Sequence, residues 1–269
     1  APGARARGGR HPVPAGEEHR GHRLVYAGAP ARLVVAHRAA AGETLLERVA
    51  SHVSAELGTP VRHSWPLSRA GVLVVVGDSC VMRIAVGPAG KRLATQREVL
   101  EKLANAPAVV SERIPLPIRY GRTGLADWTV EPKAQGTPVR GDVMAPAFLE
   151  ECVTFLAALY ESPVDGPRRS LIVDAERCAS VCPTERQRSD LMALGEELER
   201  ILADVPRGFG HGDFWVENLF GEGEHLSGVI DWDGGGPGRL PLIDLIHLQV
   251  SGFRDGGQAT IGDALLDSQ

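Results

Sequence analysis

The sequence predicts an α+β chain of two lobes, a small antiparallel-sheet lobe followed by a mainly helical one. Three observations carry that expectation. Up to about residue 131, short apolar runs alternate with turn residues; beyond it, long helical patterns dominate. Between the two, EPKAQGTPVRG (131–141) has the Gly and Pro of a hinge. The expected division is an extension or linker over 1–43, a first lobe over 44–131 and a second over 132–269. No internal repeat is present.

Each element follows from local pattern. RLVYAG (23–28) and ARLVVAH (31–37) read either as a hairpin around Ala29-Pro30 or as the remnant of an upstream domain. Leu45, Val49, Val53 and Leu57 form one apolar helical face, stopped by Gly58 and Pro60. VRHSWPLS, GVLVVVGD and CVMRIAV read as three strands with turns near 68–71 and 77–79. LATQREVLEKLAN (93–105) reads as a helix, and IPLPIRYGR and DWTVEP as two more strands. In the second lobe, 147–162 and 184–204 are helical stretches, the latter opened by a Thr184-x-x-Gln187 capping pattern.

Bulk properties exclude several function classes. A length of 269 residues, with 43% hydrophobic and 23% charged residues, suits a globular protein with a full core. The net charge of −5 offers no basic surplus for phosphate backbones, so no nucleic-acid partner is expected. No apolar run approaches the roughly 18 residues of a membrane span, and no secretory h-region opens the chain. Cys80, Cys152, Cys178 and Cys182 form no CxxC and read as reduced thiols of a cytoplasmic protein. Residues 1–23, rich in Gly, Arg, Pro and His, read as a disordered leader, a linker or a cut from a larger protein. His11, His19 and His22 lack companion ligands and read as tail rather than a metal site.

The chemistry concentrates in HGDFWVENLF (211–220) and GVIDWD (228–233). A carboxylate and a carboxamide five residues apart on a tight loop converge on a small volume, and Asp231 ends a short apolar strand that faces the same spot. Oxygen ligands from Asn218 and Asp231 suit Mg²⁺, which keeps waters and bridges substrate phosphates. Asp213 remains as a base for an attacking hydroxyl. Base, amide and metal carboxylate in that order is the layout of kinase-type phosphoryl transfer.

On these residues the chain resembles the aminoglycoside phosphotransferase and choline kinase superfamily, small-molecule relatives of protein kinases. His-Gly-Asp, four residues, Asn, then Ile-Asp-Trp is its signature, and PLIDLIHL (241–248) matches its Pro followed by Asp-Leu at the head of a helix. The resemblance spans about residues 45–250 and implies a bilobal protein-kinase-like fold. It implies a phosphotransferase that moves the γ-phosphate of ATP or GTP to a small hydroxyl-bearing molecule: an aminoglycoside-like antibiotic, an amino alcohol or a sugar. By the same resemblance Asp213 is the base, Asn218 and Asp231 hold Mg²⁺, His211 shapes the loop and Asp244 braces it.

Further roles come from the same source. Strand alternation puts Val81, Arg83 and Ala85 on one face, making Arg83 the candidate phosphate-binding cation and Glu98 its helix partner. The phosphate loop is expected near 66–71, without GxGxxG, with Ser68 as its hydroxyl. Backbone atoms from Glu131 to Lys133 are expected to hold the base of the nucleotide. Trp215 and Trp232 read as packing, 234–238 (GGGPG) as a flexible loop, and Asp233 as a second metal contact or a simple polar residue. Cys178 and Cys182 read as inert. Asp142, Glu150 and Glu151 are the acidic candidates for a cationic acceptor. The Arg at 83, the Gly-poor loop and a chain ending about 25 residues after Asp244 support an alternative, a non-catalytic pseudokinase-like nucleotide-binding module within a larger protein. A metal-dependent hydrolase is a third reading, weakened by the lack of a His-rich ligand set.

Overall fold

The computed structural model describes residues 72–139, 145–162 and 166–254, together with strand backbone at Arg23–Ala27, Arg32–Ala36 and Leu67–Arg69 and a few helical positions between 49 and 55. The chain divides into two compact units, Ala1–Pro60 and Val61–Gln269. In the first, β1 (Arg23–Ala27) and β2 (Arg32–Ala36) pair antiparallel with Val25 opposite Val34, so the hairpin alternative holds. Residues 49, 51, 54 and 55 are helical, as the apolar spacing there predicts.

The second unit opens with a five-stranded antiparallel sheet. Its strands are β3 (Leu67–Arg69), β4 (Val72–Val76), β5 (Cys80–Val86), β6 (Arg119–Thr123) and β7 (Ala126–Pro132), in the order β3-β4-β5-β7-β6. β-branched residues take four of the five positions of β4 and three of the seven of β5, which suits a pleated, half-buried surface. Helix α1 (Ala89–Lys102) crosses between β5 and β6 and continues as a 3-10 turn over Leu103–Asn105. It starts four residues earlier than the apolar pattern implies, because Ala89 packs with Ala85 and Leu93 on the sheet. A one-turn helix, α2 (Ala108–Ser111), follows. It is a segment the sequence pattern does not single out.

The helical lobe is built from α3 (Pro146–Tyr160), α4 (Leu171–Ala179), α5 (Glu185–Ile201) and α6 (Leu242–Arg254). Thr184 caps α5 as its sequence predicts, accepting the Gln187 N–H at 3.3 Å. Short strands thread between α5 and α6. β9 (Gly208–Gly210) pairs with β12 (Gly236–Arg239), while β10 (Leu219–Glu222) lies between β8 (Thr137–Pro138) and β11 (His225–Val229). Residues 236–238 are thus part of a strand and not a flexible loop. Glycines at 210 and 236 sit opposite one another, and that lets the two backbones pair closely.

One core serves both lobes. Val99, Leu100 and Leu103 at the end of α1 pack with Phe148, Phe155, Leu156 and Leu159 of α3 and with Phe209, Phe214, Leu219 and Trp232 around the loops. Phe155 and Phe214 stack at 5.8 Å between ring centroids. Each such fully buried side chain contributes roughly 1.5–3 kcal/mol against its exposed state. The result is a small antiparallel-sheet lobe on a mainly helical one, the protein-kinase-like architecture. Among the described residues no helix is long and apolar enough to cross a membrane.

Candidate active site

Strand β9 delivers the chain to His211, whose buried backbone N–H donates to Asp244 Oδ2 at 2.8 Å; the N–H of Gly212 donates to Oδ1 at 2.7 Å. One carboxylate at the head of α6 therefore clamps two successive amides. Asp244 is 1% exposed, and burial pushes its carboxyl above the usual range while the two backbone bonds oppose that. Tyr160 stands over it, its hydroxyl donating to Pro241 O and reaching Asp244 Oδ2 at 3.4 Å. Gly212 has a φ of 78°, and a β-carbon there would fall 2.6 Å from Gly234 O. The glycine of the motif is a steric requirement.

His211 is fully buried and locked in one tautomer. Its Nδ1 accepts the Asp213 N–H at 3.2 Å, so Nε2 carries the proton and donates to Ile230 O at 3.0 Å. Burial depresses its pKa to about 4. Trp232 packs edge-on against the ring at 4.4 Å and donates its indole N–H to Val229 O. That tryptophan is packing, as expected. Trp215 stacks on His247 at 5.0 Å. His247 lies one turn past Asp244 on α6, and burial lowers its pKa. Sequence reasoning passed over it.

Asn218 closes the loop. Its Nδ2 donates to Asp213 O at 2.9 Å and approaches Asp213 Oδ2 at 3.4 Å, leaving Oδ1 as the free hard donor. Ile230 N–H donates to Asn218 O at 2.9 Å, which brings the end of β11, and so Asp231, beside Asn218. Asp231 has φ 68° and ψ 58° and is the one non-glycine residue with positive φ among the described residues. A carboxylate held in that sparsely populated region, at a cost of order 1–3 kcal/mol, marks a position the surroundings enforce. A buried carboxamide oxygen and a carboxylate, on residues that a backbone bond brings close in the chain's path, are donor types that suit a hard cation such as Mg²⁺. No three His, Cys, Asp or Glu side chains converge on a metal site among the described residues, so the oxygen pair would need waters or substrate phosphates to complete coordination.

The residues expected to bind phosphate and the nucleotide base are arranged differently from expectation in four respects. Arg83 is paired, but with Glu131 and not Glu98: Arg83 Nε donates to Glu131 Oε2 at 3.1 Å. Val81 stands opposite Glu131 and Arg83 opposite Thr129, so the two charged residues are diagonal neighbours on one face of the sheet. Glu98 is exposed on α1, where the helical period gives the inward position to Gln96, two residues and about 200° away. Gln96 Nε2 donates to Glu131 Oε1 at 3.3 Å. Glu131, 2% exposed, thus contributes a side chain where only backbone was expected. Burial raises its carboxyl pKa, Arg83 opposes the rise, and the charge of Asp231 adds to it.

The third difference is Lys133, whose N–H donates to Ser79 O at 3.0 Å. Pro132 has no N–H, so neither residue offers a free backbone donor to a nucleotide base. The fourth is Ser68, which lies within β3 opposite Leu73 and not in a loop; its side chain is outside the described residues. Of the acidic acceptor candidates, Asp142 is outside them too. Glu150 is exposed on α3. Glu151 bonds His225 at 2.6 Å, the Leu226 N–H at 2.8 Å and Arg113 at 3.5 Å, tying α3 to β11. Asp233 forms an ion pair with Arg92 of α1. Arg92 and Gln96 are the contributors sequence reasoning missed; their i, i+4 spacing on the face carrying Val99 was the available signal. Cys178 and Cys182 are free thiols.

A model of the phosphotransferase enzyme family matches residues 67–269. Among solved structures, an aminoglycoside phosphotransferase APH(3'')-Id from Streptomyces rimosus shares 18% identity at a TM-score of 0.60, covering 80% of this chain and 86% of its own. A streptomycin-ATP ternary complex of APH(2'')-IIa shares 15% at 0.54, covering 74% of each chain. A thermostable APH(4)-Ia mutant with ADP and hygromycin B shares 19% at 0.54, covering 74% and 75%. No curated protein sequence matches the chain.

Proposed function

Because the chain belongs to the phosphotransferase enzyme family, we propose that it transfers the γ-phosphoryl group of ATP or GTP to a hydroxyl of a small molecule. The observation that supports this most is the closed network around Asp213. His211 holds the loop backbone, Asn218 holds the Asp213 carbonyl, and Asp244 clamps the preceding amides, so the Asp213 carboxylate is presented with little freedom. Such preorganisation is what phosphoryl transfer asks of a protein.

In this reading Asp213 aligns the acceptor hydroxyl and takes its proton as the oxygen attacks phosphorus. Asn218 and Asp231 would hold Mg²⁺, which when bound neutralises the β and γ oxygens. Arg83 spends Nε on Glu131, and its two terminal nitrogens remain for the non-transferred phosphates. Glu131 and Gln96 orient that guanidinium, the task expected of Glu98. Fold alone hosts many acceptors, so the acceptor class, whether aminoglycoside-like antibiotic, amino alcohol or sugar, is a matter for the side chains around Asp213.

The test is thermal shift with ATP or GTP, with and without Mg²⁺, on wild type and Asp231→Ala. A Mg²⁺-dependent rise in Tm that disappears in the variant is expected. An acceptor screen read by ADP or GDP release then follows, with Asp213→Asn reducing turnover about 10²–10⁴-fold at unchanged nucleotide affinity. No shift with either nucleotide would sink the kinase reading, whereas a nucleotide shift without release of ADP or GDP to any acceptor would favour the pseudokinase-like one.

A further inference from the structure

We propose that the cleft between α1 and the β6–β7 hairpin is a second binding site, for a small anion bearing phosphate or carboxylate groups, coupled to the active site through α1. The cleft has a volume of about 530 Å³, within the range of small-molecule sites. Its lining includes Lys91, Arg97 and Arg122 against one carboxylate, Asp127, with Leu93 and Trp128 as its apolar floor.

The cations are poorly occupied by the protein itself. Lys91 is exposed and forms no ion pair with a described residue. Arg97 lays its guanidinium 4.1 Å over the Tyr120 ring, and its buried Nε has no hydrogen-bond partner; the nearest carboxylate oxygen, on Glu101, stands 3.6 Å away. Arg122 Nε lies 3.8 Å from Asp127 Oδ1, beyond hydrogen-bond reach. Arg97 lines the cleft with its side chain 27% exposed, so an oxyanion bound there can accept from the guanidinium. Glycine at 121, in the cleft wall, lets the β6 backbone lie against the Trp128 ring, since a β-carbon there would fall 2.7 Å from it.

The position of the cleft gives it a consequence. Gly90, Ala94 and Arg97 face it at i, i+4 and i+7. Arg92, Gln96 and Val99, offset by two residues and about 200°, form the opposite stripe. Arg92 pairs with Asp233, Gln96 bonds Glu131, and Val99 lies against Gly235. One face of a single helix therefore lines the cleft while the other holds the loop after Asp231 and the partner of Arg83. An anion that draws Lys91 and Arg97 together biases where that second face sits.

The test is isothermal titration with inorganic pyrophosphate and, separately, citrate, in EDTA to suppress metal-dependent binding. The variants are Lys91→Ala/Arg97→Ala, Arg97→Lys and Arg83→Ala. At least one probe is expected to bind, about tenfold or more weakly in the double variant, largely restored in Arg97→Lys and unchanged in Arg83→Ala. Pyrophosphate alone binding assigns a phosphate ligand, and citrate alone a carboxylate one. Loss of binding in Arg83→Ala would place the anion in the nucleotide site, and no binding at millimolar probe would remove the second site altogether; either overturns the proposal. Coupling is read as a change of about fivefold or more in Mg²⁺-nucleotide Kd with the probe bound. The change is expected to shrink in Arg92→Ala/Gln96→Ala, which removes both polar contacts of that face, and its full persistence there would overturn the route through α1. Because this readout needs nucleotide binding and the first does not, failure of the cleft and failure of the kinase reading are distinguishable.

Discussion

Acidification offers the sharpest check on the loop geometry. His211 is neutral because both ring nitrogens are used: Nδ1 accepts from Asp213 N–H, and Nε2 donates to Ile230 O. A second proton would set N–H against N–H in a site with no solvent exposure. The folded pKa is depressed to about 4 from an ordinary 6.5. The sign follows from proton linkage. Below pH 6.5 the unfolded chain takes a proton that the folded one refuses, so stability present above 6.5 is lost as pH falls toward 4. The difference is worth about 3 kcal/mol, lost at no more than about 1.4 kcal/mol per pH unit. Urea unfolding of wild type and His211→Gln at steps between pH 7 and 4.5 measures it. The variant is expected to be less stable at pH 7 and to show a slope smaller by the histidine's share. Carboxylates such as Asp174, whose pKa is lowered first by its bond to Arg169, act in both proteins and cancel in the comparison. Equal slopes in the two proteins would refute the assigned tautomer and burial.

Other substitutions separate the corrected site from the expected one. Arg83→Ala leaves Glu131 buried without its cation and should cost about 3 kcal/mol, whereas Glu98→Ala should stay within about 0.5 kcal/mol and leave nucleotide affinity unchanged; urea melts and nucleotide titration read both. Asp244→Asn turns one acceptor into a donor facing a backbone N–H. About 2–3 kcal/mol should be lost, a fall in Tm of roughly 5–10 °C by calorimetry, and a fall under about 2 °C would deny the clamp. Gly212→Ala combines a positive φ with a β-carbon against Gly234 O, so it should lose more than about 1 kcal/mol together with turnover, while Gly223→Ala, with positive φ but nothing within 4 Å, should lose stability alone.

What the sequence by itself determined is the local part of this protein. His-Gly-Asp, Asn218 and Ile-Asp-Trp lie within about twenty residues of one another, and the bonds among His211, Asp213 and Asn218 link residues two to five positions apart, so residue type and spacing carry the chemistry while the clamp from Asp244 comes from further along the chain. Amphipathic period and capping did the same for α3 and α5. The tertiary structure decided which groups from distant strands meet. Arg83 lies nearly fifty residues from Glu131 and takes it as partner because sheet register puts them diagonally on one face. No pattern along the chain specifies register between β5 and β7. Glu98 carries the right charge on the right helix, yet α1 is rotated so that Gln96 points inward, a rotation set by packing Leu93, Val99 and Leu100 together. Residues 234–238 (GGGPG) read as a loop because glycine and proline lack a strand signal, and pairing with β9 made part of them a strand. The cleft beside α1 belongs to this second class, since its cations come from a helix and a hairpin that only the fold brings side by side.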